Sequence, residues 1–421
     1  MSASLLITNV RIFDGENEVP NGSVLVEDGV IKQVAAGELK APNSSTVVVS
    51  RPGHTLIPGI IDGHVHADID AECTALTQSL KFGVTTVCDM HQEAENIGKL
   101  RARAAQDPDA ADFKTSSQAA TVSGGWPMAV ITAFDKSEET RARIATWPDL
   151  KTKADVVEFI QDRVDDKADY VKLMHEDGNG LLFKPALPPL ELQEELVRVA
   201  HQRGLLVVAH ALSIQRTIDM LSIGVDGMAH TICDSPPTKE LIDAYLANNA
   251  HCNPTLATIG SLTKEGLKEQ EAYAHDPRVK ERVSLEGQKR LCACMGFGNE
   301  KSTVQNAYQS VRELKAAGID VILGSDSAGP AIGTAYGVSA HHELALFVNK
   351  CGFTPKEALR AGTSLVAKRL RLNDRGRIVE GLRADLVLVE GNPLENIDHT
   401  LDIRGVWKQG TLTSTYKGLV A

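Results

Sequence analysis

The chain is poor in aromatic residues, 4% of the total, and has no stretch of 18 apolar residues. The second absence excludes a membrane-spanning helix. Lys and Arg number 44 against 55 Asp and Glu, a net charge of −11, with no basic run among them. Nucleic acid is therefore not expected as a partner, and the acidity reads as a solubility feature. Residues 1–10 lack a basic stretch and a small-residue cleavage site, so no secretory leader is expected. The seven cysteines are Cys73, Cys88, Cys233, Cys252, Cys292, Cys294 and Cys351, an odd number without framework spacing. Reduced thiols in a cytoplasmic protein are the simpler reading. Cys292 and Cys294 stand too close for a zinc knuckle and read as part of a buried face.

What is present is ordinary globular material, 421 residues with 43% hydrophobic and 24% charged. That length suits a barrel of about 250 to 350 residues plus a smaller unit. Both ends read as β. Leu5-Leu6-Ile7, Val10 to Phe13 and Ser23 to Val26 are short apolar runs, with a turn signal at Glu27-Asp28-Gly29. Residues 46–49 add a strand, and residues 376–378, 384–389 and 406–410 read the same way. Neither end buries a core alone, which predicts one β-sandwich built from residues 1–55 and 373–421. Residues 56–372 alternate strand-like runs (85–88, 170–174, 205–209, 225–229, 321–323) with helical patterns (190–203, 214–223, 304–317). That alternation predicts a parallel α/β domain. Residues 130–139 and 261–282 read as insertions or lids over its mouth.

Candidate chemistry stands at the ends of the apolar runs. In Asp62-Gly63-His64-Val65-His66 the two histidines share one strand face and can bind one ion; the bland reading is two solvated residues at a strand end. His210 follows Leu206 to Ala209, and His230 follows Val225 to Ala229. In a barrel all strand C-termini share one face, where active sites are built. Asp326, after Leu323-Gly324-Ser325, is either a metal ligand and proton acceptor or a helix N-cap. Lys172 lies in the apolar run Tyr170 to Met174, where an amine is costly unless paired or modified. It either reaches an acid such as Asp169 or is N-carboxylated, an anion suited to bridging two cations.

This ordered set, His64, His66, Lys172, His210, His230 and Asp326, resembles the binuclear amidohydrolase superfamily. The branch looks like the imidazolonepropionase-related amidohydrolases, which include Xaa-Pro dipeptidase-like and ochratoxin-hydrolysing enzymes. The closing stretches, residues 354–363 and 376–389, agree, and the resemblance spans almost the whole chain. It implies a (β/α)₈ TIM barrel over residues 56–372 and two divalent ions, zinc by default, with manganese, iron or cobalt also able to occupy the site. His64, His66 and Asp326 would hold the buried ion, and His210 and His230 the outer one. N6-carboxylysine at Lys172 and a hydroxide would bridge them. Asp326 would be catalytic, moving the proton of the attacking water.

One departure stands out. Relatives of this branch carry Gly-Gly-His-Gly after the third strand, where this chain reads Gly124-Gly125-Trp126-Pro127. Trp126 thus replaces a histidine that could contact substrate, and His91 or His175 could supply what is lost. His341, beside His342 before the last loops, is a further substrate-contact candidate. The expected reaction is hydrolysis of an amide or peptide-like C–N bond in an N-acyl amino acid, a dipeptide or an ochratoxin-like aryl amide. Lactone or cyclic-amide hydrolysis and decarboxylation on the same metals are the rivals. A non-catalytic scaffold would have lost ligands, and none of the six is missing. The expected partners are a small-molecule substrate and, by family habit, further copies of the chain in a homo-oligomer.

Overall fold

The structure, a computed structural model, describes residues 4–67, 70, 74–329 and 332–420. The chain opens with β1 (Ser4–Phe13), β2 (Glu18–Glu27), β3 (Val30–Ala36), β4 (Val47–Ser50) and β5 (His54–Pro58). The β2–β3 turn works because Asp28 and Gly29 both take positive φ, 51° and 77°, as a two-residue hairpin turn matched to strand twist requires.

The second group is β6 (Ile60–His66), β7 (Val84–Asp89), β8 (Asp112–Thr115), β9 (Val171–Met174), β10 (Val207–His210), β11 (Gly227–Ala229), β12 (His251–Asn253) and β13 (Ser327–Ala328). The chain closes with β14 (Leu386–Glu390), β15 (Ile403–Lys408) and β16 (Thr411–Leu412).

Both termini meet in one mixed eight-stranded sheet ordered β16-β15-β14-β5-β1-β2-β3, with β4 beside β1. The hydrogen-bond ladders join strands from both ends of the chain into this one sheet. It has its own core, in which Ile7, Ile12, Val24, Leu56, Leu388 and Trp407 are buried. The predicted strand at 376–378 is absent from it. Gly376 takes φ 83°, and the flanking Arg375 and Arg377 are drawn aside into ion pairs with Asp112 and Asp14.

The middle forms two four-stranded sheets, β12-β11-β10-β9 and β13-β6-β7-β8, whose pairings are all parallel. Strands β7, β9 and β10 are buried along their whole length, as parallel strands covered on both faces must be. The halves are joined by isolated parallel bridges, Ala120 to Leu173 and Cys252 to Val321, so among the described residues no single closed ladder runs round them. A shared interior cluster of Ile61, Cys88, Val208, Ala229, Ile322 and Leu365 draws on both halves. The predicted strand at 321–323 forms no ladder of its own but bridges Cys252 and takes the Gly63 N–H on the Leu323 carbonyl at 3.0 Å.

The helices Leu190–Gln202, Ile214–Ser222 and Val304–Ala316 fall where periodicity predicts them. Short helices cover 128–144 and 256–291, overlapping the segments 130–139 and 261–282 that were expected as insertions or lids. Among the described residues no helix is long and apolar enough to cross a membrane. Of the cysteines, Cys73 lies outside the described residues, and the other six form no disulfide among the described residues. Cys292 and Cys294 are half-buried at the end of a short helix rather than on a buried face.

Candidate metal centre

The strand period puts Asp62, His64 and His66 of β6 on one face. His64 Nε2 and His66 Nε2 each lie 3.2 Å from Asp326 Oδ1, and one ligand atom from each of the three falls within 4.8 Å of the others. Asp326 is held from behind by its own N–H, which donates to the His64 carbonyl at 2.7 Å. His230, just beyond β11, brings its ring 5.0 Å from that of His64 and 4.6 Å from that of His210 at the end of β10. Its Nδ1 lies 4.0 Å from Asp326 Oδ2. The structure thus gathers all four predicted histidines, at or just past the C-terminal ends of β6, β10 and β11, around Asp326 in the turn before β13.

Two of these residues sit in strained backbone. Asp326 and His230 have φ of 52° and 76°, as does their neighbour Thr255 at 49°. Left-handed conformations in non-glycine residues are costly and persist where surrounding contacts over-determine them.

Lys172 is fully buried in β9, and among the described residues no hydrogen bond or ion pair reaches its amine. Burial pulls its pKa down to about 7, with Asp326 pulling weakly the other way. Burial, reinforced by Lys172, also pushes His64 down to about 3, so its ring is neutral. Both ring nitrogens of His64 and Nε2 of His210 are buried without a hydrogen-bond partner. Neutral imidazoles with orphaned nitrogens around a carboxylate form a donor set that fits divalent metal ions.

Several supports lay beyond sequence reasoning. Asp62 accepts from the His64 N–H at 3.2 Å, the Ser325 N–H at 2.9 Å and the Ser325 hydroxyl at 2.5 Å. It ties the His64 strand to the Asp326 turn, and burial raises its pKa to about 6. Asp89 accepts from the Ala67 N–H at 2.7 Å and pins the end of β6. The Thr255 hydroxyl lies 2.6 Å from His230 Nδ1. Glu343 accepts from the N–H groups of Leu256 and Ala257 at 2.8 and 2.9 Å, holding the helix that begins there. Glu176 Oε2 stands 3.4 Å from His210 Nε2. Only Asp62 carried a sequence signal, its two-residue spacing from His64.

The four substrate-contact candidates divide. Trp126 stacks on the His210 ring at 5.2 Å and 23°, with Phe297 6.3 Å beyond. His91 is instead engaged with its own surroundings. Its Nδ1 accepts from the Ala119 N–H at 3.1 Å, and its ring lies 4.5 Å from that of Trp147. His175 faces outward to Asp219, at 3.7 Å on the helix Ile214–Ser222. His341 is held by Thr400 Oγ1 and the Phe82 carbonyl at 2.9 and 2.8 Å. His175 and His341 fall outside the cluster because a residue just past a strand, or inside a helix, takes its direction from packing. A cleft of about 820 Å³ beside the short helices of 128–144 is lined by Glu93, Glu95, Asp135, Glu139 and Arg143, not by the histidines.

A parallel α/β domain with histidines, lysine and aspartate at its strand ends is the frame of an enzyme working at that face. Residues 55–418 match the Amidohydrolase family, and the chain belongs to that family of hydrolases. It is 25% identical over 401 residues to the imidazolonepropionase of Salinispora arenicola, covering 91% of this chain and 90% of that one. Among solved structures it resembles a Xaa-Pro dipeptidase with bound methionine, with a TM-score of 0.74 and 20% identity over 97% of this chain and 99% of that one. It also resembles the ochratoxinase of A. niger, with a TM-score of 0.72 and 18% identity over 98% and 95%. These likenesses make the fold TIM-barrel-like.

Proposed function

We propose that the protein is a binuclear metal-dependent amidohydrolase cleaving an amide C–N bond in an N-acyl amino acid, a dipeptide or an ochratoxin-like aryl amide. The observation that carries this reading is the convergence of four histidines and Asp326 with a buried lysine whose amine has no partner among the described residues. His64, His66 and Asp326 would hold one ion, His210 and His230 the second, and carboxylated Lys172 would lie between them. Two divalent cations, zinc by default, would supply Lewis acidity toward the scissile carbonyl and toward water.

The chain's own residues do the rest. Asp326, central to the cluster, accepts the proton of the attacking water and returns it to the leaving nitrogen. Trp126, stacked on the His210 ring, would offer an aromatic contact to a planar acyl group.

The reading includes a (β/α)₈ ring formed by the two half-sheets over residues 56–372, and a terminal β unit from residues 1–55 and 373–421. The substrate is a small molecule, with neither nucleic acid nor membrane as partner, and the enzyme is a cytoplasmic homo-oligomer. A second reading, hydrolysis of a cyclic amide, is favoured by the full-length likeness to an imidazolonepropionase, since an imidazolone is itself a cyclic amide.

The deciding experiment is metal content per chain by mass spectrometry, on wild type and Lys172→Ala purified without chelators. About two ions in the wild type and a clear loss in the variant support the binuclear site. No metal in either, even after reconstitution, overturns it. Assay of acyl amino acids, dipeptides and aryl amides against cyclic amides and lactones then separates the two readings.

A further inference from the structure

Glu176 stands two residues beyond β9, and its side chain is fully buried. A buried carboxylate is costly unless its lone pairs are taken up, and here they are. Oε1 accepts from the Gly178 N–H at 2.7 Å. Oε2 accepts from the Leu212 N–H at 3.1 Å and lies 3.4 Å from Nε2 of His210. The carboxylate therefore holds the backbone two residues after His210 and stands within reach of its ring. Its turn is built for this purpose around Gly178, which has φ 77° and where a Cβ would fall 1.9 Å from the Phe183 carbonyl oxygen.

The His210 ring is hemmed in on its other sides. Trp126 stacks on one face at 5.2 Å, and the ring of His230 meets it edge-on at 4.6 Å. Nε2 is buried and makes no hydrogen bond of its own. A neutral imidazole carries one N–H, and which nitrogen carries it decides which one can bind a cation.

We propose that Glu176 is the positioning residue of the outer metal site. It takes the Nε2–H of His210, fixes that tautomer, and leaves Nδ1 as the nitrogen offered to the cation. A carboxylate behind a ligating histidine orients the ring and makes it more basic. This inference rests on the binuclear reading above.

The test is Zn2+ titration of chelator-stripped protein in competition with a chromophoric chelator. The proteins are wild type, Glu176→Ala, Glu176→Gln, His210→Ala and the double variant Glu176→Ala/His210→Ala, with thermal melting of each metal-free form. Wild type is expected to take up about two ions. Glu176→Ala is expected to weaken one of them by about 10- to 100-fold and leave the other at wild-type affinity. Glu176→Gln keeps an acceptor oxygen for Nε2–H and is expected to lose less.

The double variant is expected to bind no worse than His210→Ala, because Glu176 acts through that ring. Wild-type affinity at both sites in Glu176→Ala overturns the proposal, as does a further loss in the double variant. If Glu176→Ala melts below the assay temperature, wild-type affinity in Glu176→Gln overturns it instead. Failure of the wild type itself to bind two ions overturns the binuclear reading beneath it.

Discussion

The hydroxyl of Thr255 lies 2.6 Å from Nδ1 of His230, so one side chain at the start of a helix sets the attitude of a candidate ligand on another element. Glu343 pins that helix start from behind through two backbone amides. Thr258, one turn on, donates to the Ser325 carbonyl at 3.0 Å, next to Asp326. The helix Leu256–Thr263 therefore braces both residues.

Thr255→Val removes the partner of His230 without changing bulk. The expected outcome is a 10- to 100-fold fall in kcat/KM or metal affinity, roughly that of lost outer-shell partners, with little change in melting temperature. Steady-state kinetics beside a thermal melt checks it. Unchanged kinetics would mean that His230 is held by packing alone.

Trp126→Ala removes the plane stacked on His210. Loss of one aromatic contact corresponds to about a 2- to 10-fold effect. The variant is expected to lose that much kcat/KM on substrates with an aromatic acyl group and little on aliphatic ones. An equal loss on both would assign Trp126 to holding His210 rather than to selecting substrate.

Gly227 faces the ring of His251, where a Cβ would fall 2.1 Å from Cε1. Gly227→Ala is expected to destabilise the fold by about 1 to 3 kcal/mol through overpacking, read from urea unfolding. Adding His251→Ala opens space for the new methyl group, so the pair is expected to be less destabilised than the sum of its single variants.

His251 also sets an acid limit. Burial, aided by Arg369, lowers its pKa to about 4, below the unfolded value. The folded state binds the fewer protons, so this stability is present above pH 6.5 and is lost as pH falls toward 4. The full effect is about 3 kcal/mol. Urea unfolding between pH 7 and 4 is expected to weaken steadily, and His251→Gln to flatten the slope. An unchanged slope in the variant would move the effect to His175, His341 and His342, which burial likewise lowers to about 4.

The alternating middle and the β-rich ends were legible because periodicity is a local property. So was the gathering of His64, His66, His210, His230 and Asp326, since each follows an apolar run that ends at the same face. The supports were not legible. Glu176, Thr255 and Glu343 act across elements distant in sequence, and nothing local separates them from other polar residues. His341 misled because proximity to the last loops says nothing of direction. Inside the buried helix Val338–Cys351, packing turned its ring toward Phe82 and Thr400. Residues 376–378 had strand-like chemistry, but two neighbouring arginines found carboxylates elsewhere.

Strand β5 pairs with β1 on one side and β14 on the other, and Pro58 is followed through Gly59 directly by the strand that carries His64 and His66. During vectorial synthesis on a ribosome, β5 therefore waits for a neighbour that emerges only near the end of translation. Pairings so remote in sequence must meet the entropy of closing a very large loop before they return any stabilisation. The first two histidines thus directly follow a strand whose second neighbour is supplied from the far end of the chain.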